Sequence, residues 1–128
     1  MKFLDALVRE ALRNHEAIFL AEEFRLREDA QIGEYQFRKG AKLIVDIGGM
    51  HKDPKEWQRP SEFLPQRFDE EDPLFLTPAG QQRHKMSYAP FSHGRRNCIG
   101  QYFAYHAIKV MIIHMVSHFD LEFVEQRF

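Results

Sequence analysis

The residues best equipped for chemistry lie together in Phe91-Ser92-His93-Gly94-Arg95-Arg96-Asn97-Cys98-Ile99-Gly100, and the only cysteine of the chain sits near the end of that run. Gly94 and Gly100 flank it, and Pro90 precedes the stretch. Glycine tolerates positive φ and close backbone approach, so Gly94 suits a tight bend against a flat ligand. A periodic apolar segment begins just past Cys98, which places the sulfur at or near a helix N-terminus. The unpaired N–H groups there, the helix dipole, Arg95 and Arg96 all favour thiolate over thiol. Such a thiolate is a candidate nucleophile, redox sensor or metal ligand.

The spacing Phe-x-x-Gly-x-Arg-x-Cys-x-Gly, continued by Gln101-Tyr102-Phe103-Ala104, resembles the haem-binding loop of the cytochrome P450 family. Phe91, Gly94, Arg96, Cys98 and Gly100 occupy its five fixed places within ten residues. The resemblance implies haem b (iron protoporphyrin IX) as cofactor, with Cys98 as the proximal iron ligand. In that family the thiolate donates electron density that favours O–O cleavage. It further implies that Arg96 pairs with a haem propionate and that Phe91 packs beside the ligand. A lone cysteine is more often a buried structural residue, but five matched positions outweigh that reading.

The elements that must position this loop begin with length and composition. The 128 residues suit one small domain with a modest core. A net charge of −1 and the absence of a basic tract argue against nucleic acid as a partner. One cysteine excludes an intrachain disulfide and a multi-cysteine zinc site, and is compatible with a reducing compartment. Asp5 falls too early for the apolar core of a signal peptide, and no apolar run approaches the roughly 20 residues that cross a bilayer. The chain as written is expected to carry no membrane anchor.

Residues 2–13 read as a helix. At about 100° per residue, Leu4, Val8, Ala11 and Leu12 share one sector with Phe3 and Leu7 beside it, while Lys2, Asp5 and Arg9 face water. Glu10 lands at the edge of the apolar sector, with Arg13 within pairing reach. Glu10-Ala11-Leu12-Arg13 is similar to the family's Glu-x-x-Arg helix. No proline follows until Pro54, and Arg25 stands one place out of register with a basic residue that often reaches a propionate. By the same resemblance, Ile18-Phe19-Leu20 approaches the substrate side of the haem.

From 31 to 47 the period is two, and Lys39-Gly40 divides two β-rich runs, which predicts an antiparallel hairpin. Asp53-Pro54-Lys55-Glu56 has the form of a helix start, with Asp53 as N-cap, Pro54 first and Glu56 closing a capping box. His51 reads as a packed or propionate-side residue. The proline-rich run 59–90 contains Pro65-Gln66-Arg67-Phe68, which resembles the family's Pro-Glu-Arg-Phe element with glutamine at 66. The resemblance implies that Arg67 joins Glu10 and Arg13 in a buried structural cluster, since two guanidiniums around one carboxylate satisfy buried charge.

The stretch 69–86 reads as an irregular surface connection. A final helix over 99–118 puts Ala104, Ile108, Met111, Ile112, Met115 and Phe119 on one face, with Tyr102, His106, Lys109 and Ser117 opposite. His114 and His118 have chelate spacing without a third ligand, and 121–124 alternates as a last strand.

The expected fold is α+β, mainly α: helix, small hairpin, meander, ligand loop (91–100) and long final helix. It corresponds to the C-terminal part of the P450 fold alone, because members are several times longer and keep their oxygen-activating helix and most of the distal pocket upstream. The loop and its continuation look eukaryotic, which implies an endoplasmic-reticulum parent anchored by a segment outside this chain. The resemblance implies a haem-thiolate monooxygenase of lipophilic small molecules that uses O2 and a reductase docking near Arg95 and Lys109. The alternative is a non-catalytic haem-binding or structural remnant. A cysteine hydrolase using Cys98 and His93 is weaker, because no acid orients the histidine.

Overall fold

The computed structural model describes residues 1–15 and 23–122. Ile18-Phe19-Leu20 therefore lies outside the described residues. Of the alternating segment at the end, Leu121 and Glu122 take no strand pairing, and Phe123 and Val124 lie outside.

Helix α1 (Lys2–Asn14) ends with the His15 N–H donating to the Ala11 carbonyl at 2.9 Å. Its buried residues are Ala6, Val8, Glu10 and Arg13, and Phe3 is 73% exposed. They do not form the single apolar stripe expected of Leu4, Val8, Ala11 and Leu12. The helix is covered on two flanks, by the 3-10 turn Pro65–Phe68 and by helix α3 (Gln101–His118). Asp5, expected in water, forms an ion pair with Lys109 of α3, which holds its carboxyl below the ordinary value.

The β region differs from one hairpin over 31–47. Strands β2 (Ala30–Ile32) and β3 (Tyr35–Phe37) pair antiparallel, Ile32 opposite Tyr35, around a turn whose Gly33 has φ +60°. Strand β4 (Lys42–Leu43) pairs with β1 (Phe24–Arg25). Lys39-Gly40 does turn the chain, with φ +84° at Gly40, but the strands on either side of it are not partners. Closing the nearer loop costs less chain entropy, so the Gly33 turn takes β3. The Gly40 turn instead meets Leu26 through backbone bonds at 2.8 and 3.0 Å.

The extended run stops at Asp46, whose carboxylate accepts the Gly49 N–H at 2.7 Å and caps a short helix, α2 (Ile47–Lys52). Asp53 thus ends a helix where a start was expected. Its carbonyl accepts the Glu56 and Trp57 N–H groups, making a single turn, and its carboxylate accepts from Lys55 at 2.9 Å. Glu56 closes no capping box, because its carboxylate accepts the His84 N–H at 2.7 Å.

The proline-rich run wraps a small core. It contains two 3-10 turns, Pro65–Phe68 and Pro73–Phe75, and a bridge between Leu76 and Gln82. It is more than surface connection, since Thr77, Ser87 and Ala89 are buried. Trp57, 1% exposed, sits at the centre with ring centroids 5.9 Å from Phe68 and 6.3 Å from Tyr88. Its indole N–H donates to the Met50 carbonyl at 3.1 Å.

Helix α3 starts two residues later than expected, with Gly100 as N-cap. None of its residues is buried; Ala104, Ile108 and Ile112 are half-buried, while Met111, Met115 and Phe119 are exposed. Among the described residues no helix is long and apolar enough to cross a membrane.

The packing around Trp57 predicts that Trp57→Ala destabilises the chain by about 3–5 kcal/mol. A urea titration followed by far-UV circular dichroism measures it; an unchanged midpoint would show that the ring carries no core.

Candidate functional site

Two assemblies bear on function, and the first is the ion cluster. The Glu10 carboxylate accepts Arg13 Nε and Nη2, both at 2.8 Å, from three residues along α1. Its Oε1 also accepts Arg67 Nε at 3.1 Å and the Leu64 N–H at 2.9 Å. All three side chains are fully buried. The remaining Arg13 donors reach the carbonyls of His51 (2.8 Å), Pro60 (2.9 Å) and Glu62 (3.1 Å). Every one of its N–H groups is therefore used. Arg67 donates to the carbonyls of Gln58, Arg59 and Glu62. The cluster holds two cations and one anion, and the carbonyl dipoles offset the surplus positive charge. Burial, opposed by Glu10, draws the Arg67 guanidinium below its ordinary value.

The sequence reading passed over a third arginine. Arg83 donates to the carbonyls of Leu74 (2.9 Å) and Arg67, and its guanidinium stands 4.4 Å from the Trp57 ring centroid, 5.4 Å from Phe75 and 5.9 Å from Phe68. Burial brings it down to about 10. No local pattern announces this residue; the nearest signal is the surplus of aromatic residues in an otherwise irregular run. Tyr88 was missed too. Its hydroxyl shares a 3.1 Å hydrogen bond with Tyr105 and donates to the Arg9 carbonyl at 3.2 Å, and burial pushes it above the ordinary phenol range.

The second assembly is the cysteine loop. The Cys98 N–H donates to the Phe91 carbonyl at 2.9 Å and closes it. Inside, Ser92 (φ +62°) and Gly94 (φ +78°) take left-handed conformations, and Gly94–Arg96 forms one 3-10 turn. Gly94 has this conformation as the sequence implied; Ser92 takes it without a glycine's freedom. Cys98 is a free, exposed thiol. A Cβ at Gly100 would lie 3.7 Å from its sulfur, so the helix start runs close beside the thiol. The Phe91 ring packs on Tyr105 with centroids 5.2 Å apart.

Phe91, Cys98 and Gly100 are thus brought together, with Gly94 and exposed Arg96 on the intervening turn. His93 Nε2 lies 3.0 Å from the Tyr88 carbonyl, an engagement unlike that of a hydrolase base. Lys109, expected to face water, is occupied by Asp5. His114 and His118 have rings 4.2 Å apart in the last turn of α3. Among the described residues no three His, Cys, Asp or Glu side chains converge on a metal position.

Residues 1–127 match the family model for Cytochrome P450, and the chain belongs to that family. It is 34% identical over 121 residues to the steroid 17-alpha-hydroxylase/17,20 lyase of Homo sapiens, covering 93% of this chain and 22% of the relative. To Cytochrome P450 4V2 of Mus musculus it is 35% identical over 127 residues, 99% of this chain and 23% of the relative. To Cytochrome P450 CYP82J17 of Trigonella foenum-graecum it is 33% identical over 120 residues, 94% and 22%. The chain therefore spans less than a quarter of the length of the curated relatives it matches.

Membership implies a haem cofactor, and the donor chemistry of the loop fits one. A soft thiol stands exposed on a backbone-closed loop, beside a Gly94 where a Cβ would meet nothing within 4 Å. One axial thiolate with room for a flat ring is what an iron porphyrin takes on its proximal side.

Removing one partner of a buried ion pair costs about 3–5 kcal/mol, so Arg67→Ala is expected to abolish cooperative unfolding in so small a chain. Arg67→Lys should rescue it poorly, since an ammonium cannot reproduce the fork. Chemical denaturation of both variants checks this, and wild-type stability in Arg67→Ala would disprove burial of the pair.

Proposed function

We propose that the chain is the C-terminal, haem-ligating segment of a haem-thiolate monooxygenase acting on a lipophilic small molecule. The observation that carries the proposal is the exposed Cys98 thiol at the end of the closed loop, with the family's five residues in place. Cys98 would hold the haem iron through its sulfur and Arg96 would pair with the haem's carboxylates, Gly94 would leave room beside them, and Phe91 fixes the loop on α3 through Tyr105. Bound haem supplies oxygen activation with electrons from a reductase. The residues of this chain bind and orient that group. Glu10, Arg13 and Arg67 are structural: they fasten α1 to the meander and touch no reactant. In the same proposal the domain is read as helix 2–13, meander 59–90, ligand loop 91–100 and final helix, and the whole protein resides on the endoplasmic reticulum.

A second reading, a haem-binding remnant without catalysis, draws on the surface of α3. Tyr102, Phe103, Val110, Met111, Met115 and Val116 are exposed along it. Contiguous apolar surface of this kind calls for cover. In this reading the described residues supply the proximal ligand and, among them, no wall that would hold a substrate on the side away from Cys98.

Two outcomes test the proposal. Reconstituted with haem, reduced and exposed to carbon monoxide, the chain should give the red-shifted Soret band of thiolate ligation, and Cys98→Ser should lose it. An imidazole-type band, or one indifferent to the substitution, would sink the assignment. Given a reductase, NADPH and lipophilic substrates, the isolated chain should consume reductant and release peroxide without product, because no wall among the described residues would keep water from a bound haem. Stoichiometric hydroxylation would show that these residues complete a pocket by themselves.

A further inference from the structure

We propose that His114 and His118 form a two-imidazole site for a divalent transition cation of the copper–zinc class, at the end of α3 away from the cysteine loop. The proposal does not depend on how Cys98 is read. Four residues along a helix bring two side chains to one face. A helical side chain also leans back toward the N-terminus, so the His118 ring lies over the turn that carries His114. The two ring centroids are 4.2 Å apart, the planes are tilted by 34°, and both residues are exposed. Two nitrogens bound to one tetrahedral zinc at about 2.0–2.1 Å stand roughly 3.4 Å apart, so the pair already has nearly the spacing of a chelate.

Hydrogen bonds decide which nitrogen of His118 is offered. The Ser117 hydroxyl donates to the His114 carbonyl at 3.1 Å. Its oxygen can then only accept from His118 Nδ1, 2.9 Å away. The His114 carbonyl, also 2.9 Å from Nδ1, is an acceptor by nature. All three contacts are satisfied together only when Nδ1 carries the proton. In the neutral ring the lone pair is therefore on Nε2, the nitrogen farther from the backbone. Histidines that bind metals are commonly set in this way, one nitrogen donating to a carbonyl and the other holding the ion.

His106 supplies the contrast. Its Nδ1 meets the Tyr102 carbonyl at 2.7 Å, but the residues four before and four after it are Tyr102 and Val110. An oriented ring without a second imidazole makes no chelate. Charge also favours the end of the helix, where the dipole is negative. From Val110 to Phe119 the sequence carries no Lys, Arg, Asp or Glu; Lys109 is paired with Asp5, and Asp120 follows the helix. Among the described residues no third His, Cys, Asp or Glu joins the pair, so water fills the remaining positions. Two imidazoles suit copper and zinc, whereas magnesium requires oxygen ligands.

Copper(II) chloride titrated into the 128-residue chain without haem tests this, in a Cys98→Ser background so that no thiol competes for the ion. The chain should take up one Cu2+ whose electron paramagnetic resonance spectrum shows coupling to two imidazole nitrogens. His114→Ala and His118→Ala should each weaken binding at least about tenfold, since losing one arm of a chelate leaves the other to bind alone. His106→Ala should leave the affinity unchanged. Zinc chloride should bind more weakly at the same two residues, as the order of affinities requires, and magnesium chloride should not compete. Both histidines are exposed, so circular dichroism should show the fold retained in every variant. Either ion binding as tightly without His114 or without His118, or weakened as much by His106→Ala, overturns the proposal.

Discussion

A single carboxylate, Glu10, decides whether the rest of this chain can pack. It is fully buried and accepts from both Arg13 and Arg67, residues that arrive from α1 and from the first 3-10 turn of the proline-rich run. An uncompensated charge in that position would be driven out to water. With the two guanidinium forks in place, the segments carrying them are pinned to each other, and the core around Trp57 closes beside them: Arg13 lies 5.2 Å and Arg83 4.4 Å from the indole centroid. The core of this small chain is thus built as much from cations on aromatic faces as from aliphatic side chains, of which, among the described residues, only Ala6, Val8, Ile47 and Ala89 are buried.

The sequence disclosed these features unevenly, for physical reasons. Glu10 and Arg13 are legible from helical spacing, because three residues along a helix bring two side chains to one face. Arg67 is not, since nothing local connects it to a carboxylate 57 positions earlier; only the resemblance did that. Alternation over 31–47 correctly implied extended backbone but was blind to pairing. Gly33 and Gly40 both permit turns, and a period of two is the same whichever turn joins the strands. Asp53-Pro54-Lys55-Glu56 satisfies a local rule for a helix start, yet Glu56 is taken by the His84 amide. Arg83 was illegible because its partners are three rings and two carbonyls, none marked by spacing. Helix α3 was misjudged for another reason. It carries apolar residues on several sides, so no one stripe specifies the face it packs with.

The cysteine loop illustrates how little of a site need reside in its reactive atom. The thiol of Cys98 is left open to a ligand while its amide is committed to Phe91, so the backbone is fixed and the sulfur is free. Phe91 leans on Tyr105, whose hydroxyl meets Tyr88, and Tyr88 lies over His51. Order in the loop is therefore inherited from rings outside it, the half-buried Tyr88 and Tyr105 and the buried His51. The exposed turn of Gly94–Arg96 contributes shape and charge.

The two arginines of the cluster spend much of their donor capacity on main-chain oxygens, those of His51, Gln58, Arg59, Pro60 and Glu62. A carbonyl is the same acceptor whatever side chain stands beside it. The identities of Gln58 to Glu62 can therefore drift widely without loss to the cluster, provided the backbone keeps its path. Glu10, Arg13 and Arg67 have no such latitude, because each contributes the charged group itself. Gln66 falls on the permissive side of that division, exposed and next to Arg67 but outside its hydrogen bonds. Mutational tolerance in this region should follow a sharp boundary between residues that lend their backbone and residues that lend their charge.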